Sequence, residues 1–274
     1  MPYGWPLKPF DRAHPVRGYF NDPRISGDSR SFHFGVDVAA ADGTPVYAVA
    51  AGEVFFDNPT AVAVAAGSAL DFGYWHIEPA VRPHQRVAKG ELLGHVLAGM
   101  GHVHFAERRG GEYRDPLRPG ALTPWSDTTA PRIVSISFER RGRTVPPDAV
   151  NGGVDVVVEA YDVPPLPIPP PWDGAIVTPA LVRWRVLQDG RVVRPWHTPV
   201  DFTRTLLPSS RFADVYAAGT RQNHPGAPGR YRFFVAHTWS TGLLPNGVYR
   251  LEAEAADERG NRGHGALAFR LANV

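Results

Sequence analysis

The sequence predicts an all-β protein in which an antiparallel β-core is followed by a β-sandwich. Short runs rich in Val, Tyr, Phe and Trp recur along the whole chain, as is typical of strands. Turn residues separate these runs, since 28 glycines and 28 prolines are spread through 274 residues. Several runs in the second half also alternate apolar with polar side chains, which indicates strands buried on one face. Almost no helix is expected.

Composition limits the functions that the chain can have. Its 29 basic and 27 acidic residues give a net charge of +2, which is not the basic excess typical of nucleic-acid binding. It has no cysteine, so disulfides and thiolate metal ligands are excluded, and any metal must be held by His and carboxylate. No apolar run is long enough to span a membrane. The first residues lack the features of a signal peptide, so we expect either an intracellular protein or a mature form with an added Met.

The first half of the chain is expected to form one β-domain. Residues 1–30 contain five prolines and predict a lead-in loop that wraps a surface. The domain then spans 31–122, and the proline-containing segment 123–131 is expected to be a linker. The strands predicted within this domain are 45–49, 52–56, 61–66, 72–77, 92–97 and 102–107, the last of which turns through Gly110 and Gly111 towards Tyr113.

The second half, 132–274, is expected to form the sandwich. Val182, Trp184 and Val186 alternate with polar neighbours, which is the pattern of a strand buried on one face. The run 163–172 contains six prolines and cannot be a central strand. We expect it to be a stiff loop that shields a sheet edge, with contact to a partner as the alternative. The predicted strands are 133–138, 154–160, 181–187, 192–196, 230–238, 248–256 and 266–271.

A His and an Asp lie four residues apart around a glycine, in the sequence Ser-Phe-His-Phe-Gly-Val-Asp-Val at 31–38. In a regular strand, positions four apart are separated by roughly 13 Å. One metal ion with bonds near ~2 Å could not reach both. His33 and Asp37 therefore predict a metal site only if the strand bends, and Gly35 between them permits a bend at low steric cost.

Three further histidines occur in strand context. His102 and His104 are two residues apart, so alternation places both imidazoles on one face of one strand. His76 follows Trp75 at the same parity as Tyr74. With His33 and Asp37 these residues give five groups able to meet on one sheet face. Two His and one carboxylate are an established catalytic zinc set, but composition alone does not say which His are ligands.

The order and spacing of these motifs resemble lysostaphin/LytM-type zinc metallopeptidases, which have a β-core of the duplicated hybrid motif type. The resemblance covers about residues 15–122. It is carried by HFGVDV, DGTPVYAVAAGEV, YWH, VAKGELLG and GHVHFAE. By that resemblance, His33, Asp37 and His104 are expected to bind Zn²⁺, and His76 and His102 are expected to be catalytic.

The resemblance implies a zinc endopeptidase that hydrolyses peptide cross-links of bacterial peptidoglycan and is secreted or held in the cell envelope. Its expected partner is the wall peptide, with further wall contact through the C-terminal sandwich, and no nucleic acid or membrane span is expected. One alternative is a non-catalytic LytM-like module that binds wall or activates another hydrolase. A second alternative is a general extracellular protease acting on glycine-rich proteins. The sequence does not indicate the oligomeric state.

Other residues near the motifs are expected to contribute less. His84 and His95 fall outside the pattern, and Asn21 and Arg24 are not expected to touch substrate. Tyr74 is expected either to pack or to hydrogen-bond near the substrate.

The second domain resembles immunoglobulin-like modules of bacterial surface proteins. The resemblance rests on the segment 127–131 at its start and on GVYRLEAEAADERGNRG near its end. Its four histidines show no spacing typical of metal ligands. A spacer or wall-binding role is therefore expected of this domain.

Overall fold

The computed structural model describes residues 2–67 and 69–273, and over this part of the chain the protein is almost entirely β. All ladders between its strands are antiparallel, and its one α-helix, α1, is the four-residue segment Phe212–Val215. The predicted all-β antiparallel fold is therefore confirmed. None of the described helices has the length and apolar character needed to cross a bilayer.

The first half of the chain contains two sheets and a hairpin. One sheet has eight strands in the order β1-β4-β12-β8-β7-β6-β10, with β13 paired to β12; a second has the order β5-β11-β9; β2 and β3 form the hairpin. The strands are β1 (Val16–Gly18), β2 (Pro23–Ser26), β3 (Ser29–Phe32), β4 (Val36–Ala39), β5 (Pro45–Tyr47), β6 (Gly52–Asn58), β7 (Ala61–Ala65), β8 (Leu70–Trp75), β9 (Ile77–Pro79), β10 (Arg86–Val87), β11 (Leu92–Val96), β12 (His102–Arg109) and β13 (Glu112–Arg114).

The segment before β1 contributes to the core of this half. Tyr3, Trp5 and Leu7 are buried among the apolar faces of the sheets. The hydroxyl of Tyr3 donates to Oε2 of buried Glu107 at 2.6 Å, and Nε1 of Trp5 donates to the carbonyl of Pro124 at 2.8 Å. The first residues are thus hydrogen-bonded to β12 and to the segment 123–131.

The second half forms two four-stranded sheets, in the orders β15-β14-β16-β19 and β18-β17-β20-β21. A continuous apolar core joins their inner faces, so the predicted sandwich is observed. Val182, Trp184 and Val186 are fully buried while Arg183 and Arg185 are partly exposed, as their alternation predicts. The strands are β14 (Arg132–Arg140), β15 (Arg143–Val145), β16 (Gly153–Tyr161), β17 (Leu181–Gln188), β18 (Arg191–Asp201), β19 (Arg232–Ser240), β20 (Gly247–Ala256) and β21 (Arg262–Leu271).

The two halves are joined by the loop before β2 and by the β2–β3 hairpin. Phe32, at the end of β3, packs into the core of the sandwich, with its ring centroid 5.5 Å from that of Phe212 and 5.7 Å from that of Tyr216. The hydroxyl of Tyr216 donates to the carbonyl of Asn21 at 2.7 Å, and the backbone N–H of Leu207 donates to Oδ1 of Asn21 at 3.0 Å. The sandwich therefore contacts the residues that precede His33.

We expect Asp22→Ala to destabilise this junction strongly. Asp22 is 2% exposed, and its carboxylate accepts from both the N–H and the hydroxyl of Thr178 and from the N–H of Tyr19. Alanine leaves buried donors unpaired at about 1–3 kcal/mol each, so a loss of about 2–4 kcal/mol is expected. A fall in the urea midpoint would measure it. Asp28→Ala, in the exposed turn of the hairpin, is the control, and equal effects of the two changes would contradict the prediction.

Candidate metal centre

The sheet formed by β4, β12 and β8 places three polar side chains on one face. Asp37 lies opposite His104 in the β4–β12 ladder, and His102 is two residues before His104 on the same strand. Their neighbours Val38 and Phe105 point into the apolar core and are fully buried. Strand alternation thus separates the polar face from the core, as the spacing of the two histidines predicts.

The strand is interrupted between His33 and Asp37, as the spacing of the pair requires. β3 ends at Phe32 and β4 begins at Val36, so residues 33–35 are not part of a ladder. A Cβ added at Gly35 would lie 2.3 Å from the carbonyl oxygen of Phe105 and 2.8 Å from Nε2 of His104. Glycine is required here because the backbone passes so close to β12, and its φ is not in the left-handed region.

Three atoms of His33, Asp37 and His104 converge on one point. Nε2 of His33 is 2.7 Å from Nδ1 of His104 and 3.1 Å from Oδ1 of Asp37, and Nδ1 of His104 is 3.2 Å from the same oxygen. Donor atoms about 3 Å apart can all lie about 2.0–2.2 Å from a single zinc ion. The three residues expected to bind a metal therefore form a group that fits one.

The protonation of the two imidazoles suits a metal ligand. Nδ1 of His33 lies 2.8 Å from the carbonyl oxygen of Tyr19, to which it donates, so Nε2 carries the lone pair. Burial lowers the pKa of His33 to about 3 and also lowers that of His104. Nε2 of His104 is buried without a hydrogen-bond partner. Both rings are thus neutral near pH 7 and free to donate a lone pair.

Asp37 supplies the negative charge of the group. Burial alone would raise the pKa of this carboxyl, but His33, the Arg24 guanidinium and His102 hold it well below its ordinary value. Nη2 of Arg24 donates to Oδ2 at 2.7 Å, which leaves Oδ1 directed at the two imidazoles. Arg24, from which no substrate contact is expected, therefore orients the carboxylate and lines the cleft beside it.

His102 lies at the edge of the group. Its Nε2 is 3.4 Å from Oδ1 of Asp37, and its Nδ1 lies 2.7 Å from both the carbonyl oxygen of Met100 and Nη2 of Arg17. Burial chiefly lowers the pKa of His102 to about 4. No motif indicates a role for Arg17, whose guanidinium also stacks 3.9 Å from the ring centroid of Trp172.

His76 reaches the same face by a route that strand parity does not predict. The expectation that it shares a face with Tyr74 is wrong, because Tyr74 is fully buried in the core and its hydroxyl accepts from the N–H of Val49. β8 ends at Trp75, and a φ of 65° at His76 turns the chain. As a result the His76 ring lies 4.7 Å from that of His102, centroid to centroid, and lines the cleft.

The five groups open onto a cleft of about 540 Å³ whose walls come from both halves of the chain. Arg17, Arg24 and Phe34 belong to the first half. The sandwich contributes four residues, one of which is the last residue of the proline-rich run 163–172. These are Trp172, Gln222, Asn223 and Tyr231.

The remaining candidates lie away from the group. Nδ1 of His84 is 2.9 Å from Oε1 of Glu53 at an exposed site, and His95 lies on β11 in the smaller sheet. Asn21 bonds to the sandwich through Leu207 and Thr205. None of these residues lines the cleft.

The match to a family model covers all five groups. Residues 31–116 match Peptidase family M23. The predicted recognition as a lysostaphin/LytM-type peptidase is confirmed for this part of the chain, which we call the M23 domain. The match does not extend into the sandwich.

The chain is similar to parts of several known proteins, and it spans about a quarter of the curated relative that it matches. Myeloid protein 1 of Gallus gallus is 39% identical over 88 residues, which are 29% of this chain and 26% of that protein. The catalytic domain of the M23 protein EnpA from Enterococcus faecalis is 25% identical, with a TM-score of 0.32 over 39% of this chain and 92% of its own. The catalytic domain of lysostaphin from Staphylococcus simulans is 22% identical, with a TM-score of 0.32 over 36% of this chain and 86% of its own.

Proposed function

We propose that this protein is a zinc-dependent endopeptidase that hydrolyses peptide bonds of peptidoglycan cross-links. The observation that carries the proposal is the convergence of His33, Asp37 and His104 at the floor of a cleft, with His76 and His102 beside them. The family match supports the reaction class. The resemblance to lysostaphin/LytM-type peptidases supports the substrate class and a secreted or envelope location.

His33, Asp37 and His104 would hold the zinc ion. Two neutral imidazoles and one carboxylate form a typical catalytic zinc set, because such a set leaves room for water and a net positive charge. When bound, zinc lowers the pKa of water and polarises a carbonyl oxygen. Arg24 keeps the carboxylate in place through its contact with Oδ2.

His76 and His102 would carry out the proton transfers. In amide hydrolysis one group accepts a proton from the attacking water, and another stabilises the oxyanion or protonates the departing amine. Both rings face the cleft, and their lowered pKa values keep them neutral near pH 7. The carbonyl of Met100 fixes the orientation of His102, so its Nε2 points towards the group around Asp37.

The sandwich would form one wall of the substrate cleft. Trp172, Asn223 and Tyr231 line the cleft together with the histidines. The ring of Trp172 suits the apolar contact that a bound peptide needs. The amide of Asn223 and the hydroxyl of Tyr231 are already hydrogen-bonded within the sandwich, so they shape this wall rather than bind a peptide backbone. The outer faces of the sandwich would also contact the bacterial cell wall.

Digestion of purified peptidoglycan tests this function. We expect new free amino groups to appear, the release to stop after zinc is removed by a chelator, and the activity to return when zinc is supplied. A soluble glycine-rich polypeptide is the comparison substrate. If the protein cleaves this polypeptide faster than peptidoglycan, a general protease would be favoured. Wall binding without any cleavage by zinc-loaded protein would overturn the proposal in favour of a non-catalytic module.

A further inference from the structure

Apart from the candidate metal centre, a cluster of three carboxylates lies between the M23 domain and the sandwich. It consists of Asp127 in the segment before β14, Asp162 directly after β16 and Asp257 directly after β20. One oxygen from each residue lies within 4.8 Å of the others. Three segments that are distant in sequence therefore bring their carboxylates to one place.

Asp162, a member of this cluster, has a buried oxygen without a hydrogen-bond partner. The residue is 1% exposed, and its Oδ1 accepts from the N–H of Val163 at 2.8 Å, but its Oδ2 is buried without a partner. A buried, unpaired carboxylate oxygen is costly unless an ion or a donor completes it. Asp162 lines the same small cavity as Asp127 and Asp257.

The cavity has the size, and enough carboxyl groups around it, to hold one cation. Its volume is about 20 Å³, little more than one water molecule occupies. Asp115 and Glu258 also line it, so acidic groups outnumber the single arginine there, Arg259. Nε of Arg259 is itself buried without a partner. Burial raises the pKa of Asp162 to about 8 and that of Glu258 to about 9, so both carboxyls hold a proton near pH 7 that an entering cation would displace.

We propose that Asp127, Asp162 and Asp257 bind one Ca²⁺ ion at the junction between the M23 domain and the sandwich. Ligands that are carboxylate oxygens without histidine favour a hard cation, and Ca²⁺ tolerates irregular sets of carboxylate, carbonyl and water oxygens, whereas Mg²⁺ demands near-ideal octahedral geometry. The ion would connect the linker to two strand ends of the sandwich. Asp162 directly precedes the loop that carries Trp172. A bound ion would therefore also hold the start of the loop that lines the substrate cleft.

Calcium titration of the zinc-loaded full chain tests the proposal. We expect about one Ca²⁺ per chain by calorimetry, with Ca²⁺ supplied up to about 10 mM because modules outside the cell bind at roughly 10⁻⁴–10⁻³ M. Binding should raise the Tm by about 2 °C or more, and Mg²⁺ should do so less. No binding over this range, or equal binding of Mg²⁺, would overturn the proposal.

Isosteric variants identify the site. Asp162→Asn should abolish calcium binding while zinc content stays at the wild-type level, and Asp127→Asn provides a second variant if the first does not fold. Asp189→Asn, in the exposed turn between β17 and β18, is the matched control. Unchanged calcium binding in Asp127→Asn and Asp162→Asn would contradict the assignment. Asp37→Ala should bind calcium normally, so this result is independent of the proposed peptidase activity.

Discussion

Replacing Asp37 with alanine is expected to remove zinc from the protein and abolish its activity. Asp37 is the only anionic member of the three-residue group, and its Oδ1 lies 3.1 Å from Nε2 of His33 and 3.2 Å from Nδ1 of His104. Without it two neutral imidazoles remain beside the Arg24 guanidinium, which repels a cation. Loss of a residue that only hydrogen-bonds to a metal ligand typically lowers metal affinity by roughly 10–100-fold. Loss of Asp37 itself should lower zinc affinity by more than that.

Elemental analysis of purified protein measures this effect. About one zinc per chain is expected in the wild type and almost none in Asp37→Ala, with circular dichroism showing that both are folded. Asp71→Ala is the matched control, since Asp71 lies on the same sheet but pairs with Arg108 at a partly exposed site. Full zinc content in Asp37→Ala would show that the carboxylate is not a ligand. Absence of zinc from the wild type, even after zinc is supplied, would remove the basis of the proposed catalysis.

The sequence was sufficient to predict the β architecture and the residues that come together. Alternation in His102–Val103–His104 determines which side chains share a face, and that local rule holds in the structure. The rule failed at His76, because this residue follows β8 with a left-handed backbone conformation and so turns to the opposite face. That conformation is uncommon for residues other than glycine, so the sequence does not indicate it. Strand ends are positions where parity alone is a poor guide.

Contacts between distant segments could not be predicted. Arg24 meets Asp37 because the β2–β3 hairpin folds back beside β4, and no local pattern indicates that return. Trp172, at the end of the proline-rich run 163–172, lines the cleft, although composition predicts only a stiff loop there. The position of such a loop depends on how the sandwich packs on the loop around Asp22, which hydrogen-bonds Thr178 more than 150 residues away.

His102→Ala is expected to reduce the rate of peptide hydrolysis while leaving zinc in place. His102 lies beside the group formed by His33, Asp37 and His104, with its Nε2 3.4 Å from Oδ1 of Asp37, but it is not among the residues whose atoms lie close enough together to share one ion. Its ring lies 4.7 Å from that of His76, centroid to centroid, and both line the cleft, which suits groups that transfer protons. Loss of a general acid or base typically costs about 10²–10⁴-fold in rate.

The decisive measurement is therefore zinc content and rate on the same preparation of His102→Ala. Retained zinc with a rate lowered by about 10²–10⁴-fold would separate the role of His102 from that of His104, although both lie on one face of β12. His84→Ala, a histidine paired with Glu53 away from the cleft, should change neither quantity. Loss of zinc from His102→Ala would mean that His102 is a zinc ligand. It would contradict the proposed role of His102 in proton transfer. An unchanged rate would leave His76 as the one histidine beside the ligands that could transfer protons.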